Sequence, residues 1–242
     1  MTYKTQVRGL EGIVLGLLAA CFIPQAAAAD GAVRANFERE RASREARYVA
    51  DWVADSVDNG TLPFVIIDKK EAKVFVFDAT GKLLGAAPAL LGLARGDDSI
   101  PGIGDRELRN IHPKDRTTPA GRFVAALSVD VHGVDLLMVD YERNVAMHRV
   151  ITTNPKEHRL QRLATPTPLD NRISFGCINI PVKFYENVVR PAFTGTSGIV
   201  YVLPETRHAD KVFASYDVAE HARRLAASPP LPALAASDAA PR

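Results

Sequence analysis

Residues 123–150 read FVAALSVDVHGVDLLMVDYERNVAMHRV. Phe123 to Val131 is an apolar run rich in β-branched side chains, His132-Gly133 is a turn signal, and Val134 to Val139 is a second run. Glu142-Arg143-Asn144 marks another turn before Val145 to Val150. Short apolar runs bounded by polar turns specify strands joined by hairpins. The same texture continues toward the N-terminus. Phe64 to Ile67 and Lys73 to Phe77 are strand-like, Asp78-Ala79-Thr80-Gly81 is a turn, and Leu83 resumes the pattern. Gly92 to Gly104, rich in Gly and Asp, reads as a loop, and Ile199 to Leu203 as a last strand. Many short strands with close turn signals predict a mainly β domain, a sandwich or barrel.

Helices are the minor component. Residues 30–60 are expected to form an N-terminal helix, with Val33, Phe37, Tyr48, Val49, Trp52, Val53 and Val57 at mostly helical spacings and Asn59-Gly60 as the stop. Short helices are expected within Lys156 to Ala164, Pro181 to Val189 and Ala209 to Ala226. The Ala/Pro-rich end from Ser228 reads as disordered.

The first 29 residues have the pattern of a secretory signal peptide. Lys4 and Arg8 precede an apolar stretch from Gly12 to Ile23, Pro24 breaks it, and Ala26 to Ala29 offer a cleavage site before Asp30. An N-terminal anchor helix is the rival, but the stretch is short for a membrane span. Leu18-Ala19-Ala20-Cys21 also resembles a lipoprotein-processing box, which would place a lipid anchor on Cys21. Either route exports the protein to the periplasm or cell envelope and leaves no transmembrane span in the mature chain. The formal net charge of +2 gives no basic stripe for nucleic acid.

Cleavage leaves Cys177 alone. In an oxidising compartment an unpaired cysteine is either buried and inert or held for its reactivity. Its neighbours are Arg172-Ile173-Ser174-Phe175-Gly176-Cys177-Ile178-Asn179-Ile180-Pro181. Gly176 lets the backbone bend sharply beside the thiol, and the Gly176 and Cys177 amides are candidate donors to an oxyanion. A thiol needs a base, and His148 at the end of an apolar strand is the natural one. There is no H-E-x-x-H, and one cysteine builds no thiolate zinc site, so neither metal nor cofactor is expected. Gly102-Ile103-Gly104 lacks the third glycine of a dinucleotide loop.

These residues resemble the L,D-transpeptidase catalytic domain family of YkuD type. Its signature is a strand histidine followed by Ser/Thr-His-Gly-Cys-x-Asn/Arg, and Ser174, Gly176, Cys177 and Asn179 match it. Met147-His148 stands where the family has Ile-His-Gly. Thr117-Thr118-Pro119-Ala120-Gly121-Arg122-Phe123 resembles the Thr-Pro-x-Gly-x-Phe stretch, and Leu91-Gly92 the end of an earlier strand. The resemblance covers roughly residues 62–204. Phe175 replaces the motif's second histidine, as a pocket wall or a core residue, and Arg149 replaces the glycine after His148. The interval from His148 to Ser174, 26 positions, exceeds the family's, with Thr152 to Asn171 as the extra length. His158, 16 positions before Ser174, is the rival base in a polar setting.

The resemblance implies an L,D-transpeptidase-like β-sandwich or barrel over 62–204, followed by a helical or disordered tail over 205–242. It implies cysteine acyl transfer on peptidoglycan stem peptides, cross-linking the cell wall. An L,D-carboxypeptidase or a wall-protein amidase or transferase would use the same site, and a non-catalytic wall-binding module would keep the fold alone. The implied roles are Cys177 as nucleophile, His148 as base, the Gly176 amide as oxyanion donor and the Arg149 carbonyl as orienter of the imidazole. Ser174 and Asn179 are expected as hydrogen-bonding struts on the substrate side with Phe175. Arg172 and the Arg149 side chain are candidates for a substrate carboxylate or for solvated surface.

Overall fold

A computed structural model describes residues 32–228. The signal peptide read in residues 1–29, with Cys21, and the tail beyond residue 228 lie outside them. No described helix is long and apolar enough to cross a membrane.

The domain is mainly β, as the hairpin texture predicts. Ten strands form: β1 Phe64–Asp68, β2 Lys73–Phe77, β3 Leu83–Pro88, β4 Leu91–Gly92, β5 Gly121–Val129, β6 Asp135–Asp140, β7 Val145–Arg149, β8 Arg172–Ser174, β9 Ile178–Ile180 and β10 Gly198–Val202. Eight of them make one sheet in the order β3-β2-β1-β10-β5-β6-β7-β9, and β4 pairs β8. The sheet curls until its two edges approach. Leu90, just past β3, exchanges both backbone hydrogen bonds with Asn179 of the far edge strand, at 2.8 and 2.9 Å. That contact nearly closes a barrel.

Alternation along the strands explains the continuous apolar runs. In β1, Val65 and Ile67 join one buried cluster with Leu137, Met147, Ile178 and Val200. Phe64 and Ile66 join another with Phe75, Phe77, Tyr201 and Trp52. Both faces are covered, so Phe64 to Ile67 are apolar without a break, and only the terminal Asp68 is polar. Helix α1 (Arg44–Ser56) covers the second cluster through Ala46, Val49, Ala50, Trp52 and Val53. Alone, a helix of 13 residues is marginal in water. Its larger buried side chains contribute about 1.5–3 kcal/mol each, so packing holds it.

The N-terminal helix is shorter than residues 30–60. Ser43 caps it by accepting from the Ala46 amide at 3.0 Å, and helix begins only at Arg44. Before it, Asn36 bridges Lys82 beside β3, and Glu38 takes a positive φ. Pairing with a strand wins over helical spacing there. Strand β5 also ends earlier than Val131. The Asp130 carboxylate takes the His132 and Val134 amides at 2.8 and 2.9 Å, which ends the strand at Val129, two residues sooner.

The excursion 152–171 holds a short 3-10 turn, Pro155–Glu157, and helix α2 (Arg159–Ala164). Helix α3 (Val182–Phe184) runs through a π turn (Tyr185–Val189) into α4 (Arg190–Phe193) and packs Tyr185, Val189 and Phe193 on the first cluster. The expected C-terminal helix is two, α5 (Ala209–Phe213) and α6 (Val218–Ala227), parted where Ala214 adopts φ 54°.

Candidate active site

The parallel pair β7–β9 brings the two distant stretches together. Its register sets Met147 against Ile178 and His148 against Asn179. Met147 and Ile178 both enter the core, so His148 and Asn179 turn to the opposite face. His148 thus stands beside Asn179, two residues past Cys177, and the Cys177 sulfur meets the start of the same strand at Asn144. His158, the rival base, is exposed at the start of α2, and His132 caps the exposed β5–β6 turn.

His148 Nδ1 lies 2.7 Å from the Arg149 carbonyl oxygen. A carbonyl only accepts, so Nδ1 carries the hydrogen and the neutral ring presents its lone pair at Nε2. Burial pushes the imidazole below its ordinary value against this hydrogen bond; the Arg159 guanidinium pushes the same way and the Asp130 carboxylate opposes. Cys177 is half-buried. Burial pushes its thiol above the ordinary value, against one hydrogen bond from the Ala146 backbone. The sulfur also reaches the Asn144 carbonyl at 3.9 Å. Burial thus opposes charge on both groups.

The bend that carries the thiol is pinned from several sides. Ser174 Oγ donates to the Cys177 carbonyl at 2.6 Å and accepts from the Gly176 amide at 3.1 Å. The Gly176 amide is therefore already engaged, and of the two expected oxyanion donors the Cys177 amide is the one not held by Ser174. Buried Thr118 donates its hydroxyl to the Gly176 carbonyl at 2.7 Å and accepts from the Gly92 amide at 2.9 Å. Gly176 has φ 140°, and a Cβ there would stand 3.0 Å from the Thr117 carbonyl oxygen. Glycine is required by both the angle and the approach. The TTPAGRF segment thus buttresses the bend as well as leading into β5.

Phe175, Gly176 and Cys177 line a narrow cavity of about 50 Å³ with Arg106, Ile111 and Arg143. Phe175 is a wall of this cavity, and the Arg116 guanidinium stacks over its ring at 3.9 Å from the centroid. His148 does not line the cavity.

Neither arginine side chain named as a carboxylate ligand joins these residues. Arg172 donates to Glu205 Oε2 at 2.6 Å and to the Lys69 carbonyl at 2.8 Å, and its side chain is 9% exposed. It belongs to a buried ionic cluster in which Lys69, with a fully buried side chain, donates to Asp97 at 3.0 Å and to the Thr118 carbonyl at 3.1 Å. The Arg149 guanidinium is held by Asp135 at 2.9 Å and Glu186 at 2.6 Å and lies over the Tyr185 ring. Asn179 is 1% exposed; its Nδ2 approaches the Cys177 carbonyl at 3.4 Å and its Oδ1 accepts from Arg159 at 2.6 Å. Sequence reasoning missed Arg159, Thr118 and Arg116. Thr118 stood inside a quoted motif, whereas Arg159 lay in a polar stretch with no signal.

No family model and no curated protein matches this chain. Solved structures of L,D-transpeptidases do resemble it over part of its length. The catalytic domain of the E. faecium enzyme is 18% identical, with a TM-score of 0.32, over 59% of this chain and 98% of that one. The enzyme of Xylanimonas cellulosilytica is 12% identical, with a TM-score of 0.37, over 60% of this chain and 62% of that one. A third, solved as its avibactam carbamoyl enzyme, is 14% identical, with a TM-score of 0.35, over 59% of this chain and 49% of that one. The chain spans less than two thirds of the last two.

Proposed function

We propose that this protein is an exported cysteine acyltransferase that acts on peptidoglycan stem peptides as an L,D-transpeptidase. The observation that supports the reading is the pairing of β7 with β9, which brings His148 beside the Cys177 turn, with Nδ1 tied to the Arg149 carbonyl and the Nε2 lone pair free to serve as a base. The motif from Ser174 to Asn179 supports it independently.

In the proposed cycle His148 Nε2 takes the Cys177 proton as the sulfur attacks a peptide carbonyl of the donor stem. The oxyanion accepts from the Cys177 amide. Collapse breaks the peptide bond, and the departing amine receives the proton from the imidazolium, leaving a thioester. An acceptor amine, giving its proton to His148, then attacks the thioester carbonyl; the C–S bond breaks, and the imidazolium returns the proton to sulfur. Water in place of the amine gives carboxypeptidase chemistry in the same site. Burial of both groups disfavours a resting thiolate–imidazolium pair, so proton transfer belongs to the attack step.

The test is to incubate the mature protein with purified peptidoglycan and separately with a carbapenem. Expected are new direct cross-links by mass, and one covalent adduct on Cys177 that is lost in Cys177→Ser and strongly reduced in His148→Ala. A thiol that stays silent when folded but reacts after unfolding would leave only a wall-binding module.

A further inference from the structure

The excursion 152–171 delivers a cation to the catalytic strands. Arg159, the first residue of α2, is 12% exposed, and its Nε donates to Glu157 Oε2 at 2.5 Å. Its Nη1 donates to Asn179 Oδ1 at 2.6 Å, and Asn179 is the register partner of His148. We propose that Arg159 is a positioning residue of the catalytic pair, fixed between Glu157 and Asn179 so that its positive charge stands against His148. The proposal rests on the acyl-transfer reading of Cys177 and His148.

The excursion is anchored well enough to hold a charge in place. Leu163 packs with Leu90 and Val150, beneath the strands of the site. Arg162 donates to the Glu157 carbonyl at 2.8 Å and Thr165 to the Asp170 carboxylate at 2.9 Å. Arg159 therefore departs from a braced helix.

The charges around His148 can be accounted for element by element. Asp130 in the β5–β6 turn opposes Arg159. Arg149, next in β7, has its guanidinium matched by Asp135 and Glu186. Glu157 partly offsets Arg159, while Asn179 of β9 is neutral and burial opposes charge on the Cys177 thiol. A fixed cation resists a second proton on the ring and preserves the form that accepts one. It also makes the imidazolium formed during attack a better acid toward the leaving amine. The hydrogen bond to Asn179 orients a side chain whose other end approaches the Cys177 carbonyl.

The experiment follows the His148 imidazole through its titration by NMR in the wild-type protein and in Arg159→Gln, Arg159→Lys and Glu157→Gln. Thermal unfolding and the rate of Cys177 alkylation are recorded on the same samples. Arg159→Gln keeps a donor for Asn179 but loses the charge, and its His148 midpoint is expected to rise by about half a pH unit or more. Arg159→Lys is expected to stay near wild type. Glu157→Gln removes the counter-charge, and its midpoint is expected to fall. An unmoved midpoint in folded Arg159→Gln overturns the proposal. If that variant fails to fold, a midpoint that does not fall in Glu157→Gln overturns it. Shifted midpoints with alkylation indifferent to His148→Ala would support the charge relation and sink the catalytic reading instead.

Discussion

Thr118 and Gly176 are joined side chain to backbone across 58 residues: the buried hydroxyl donates to the glycine carbonyl at 2.7 Å while accepting from the Gly92 amide. One hydroxyl thus ties the Cys177 bend to two other stretches of chain. Thr118→Val strands a buried amide and a buried carbonyl, at a cost of about 1–3 kcal/mol for each unsatisfied group. Thr118→Ser restores both bonds. Urea unfolding and Cys177 labelling should both drop in the valine variant and return in the serine variant. A valine variant as stable as wild type would contradict the role.

His148 and Cys177 are buried in opposite senses of charge, one pushed down and the other up. Without substrate, iodoacetamide labelling of Cys177 is expected to climb above the ordinary thiol value of about 8.5. A rate already level below neutral pH would reveal a standing ion pair. His148→Ala is expected to slow acyl transfer by about 10²–10⁴-fold while leaving thermal unfolding nearly unchanged. The acylation rate on a carbapenem, followed by intact mass, measures it.

Arg172 separates a structural role from substrate binding. Its removal leaves buried Glu205 with only the Gly96 amide at 2.7 Å and the Lys69 ammonium at 3.8 Å, so Arg172→Ala is expected to cost about 3 kcal/mol of stability, the low end for a broken buried pair. The KM for a stem peptide is expected to hold in whatever fraction remains folded. A large KM increase with unchanged stability would place Arg172 on the substrate after all.

Asp97 governs acid tolerance. Burial alone would raise its carboxyl, but the Thr206 hydroxyl, the Glu205 amide and the Lys69 ammonium together hold it far below the ordinary carboxylate range. A depressed carboxyl contributes stability in full above its unfolded value of about 3.9 and loses it as pH falls through the folded value. Asp97→Asn is therefore expected to be markedly less stable than wild type near about pH 7, with the gap narrowing below about pH 3. A gap constant across that range, read by urea unfolding, would rule the linkage out.

The hairpins of residues 123–150 were legible because strand alternation and turn chemistry are local. The strand position of His148 and the glycine bend before Cys177 were legible for the same reason. Arg172 was not, because its partners lie 33 and 103 residues away. Lys69 offered no hint either, because its ammonium is enclosed by Gly96, Asp97 and Thr118, 27 to 49 residues away. Arg159 lay in a stretch whose polarity suggested spare length. Its role depends on a fold that sets α2 against β9. The early stop of the N-terminal helix depended on Asn36 finding a strand to pair with, which helical spacing does not encode.

Asn179 serves the barrel and the Cys177 bend at once. Its backbone fastens the sheet's two edges through Leu90, and its side chain lies between Arg159 and the Cys177 carbonyl. If that seam parts, the side chain that braces the Cys177 carbonyl goes with it. On the proposed function, opening this one join would silence acyl transfer with most of the fold intact.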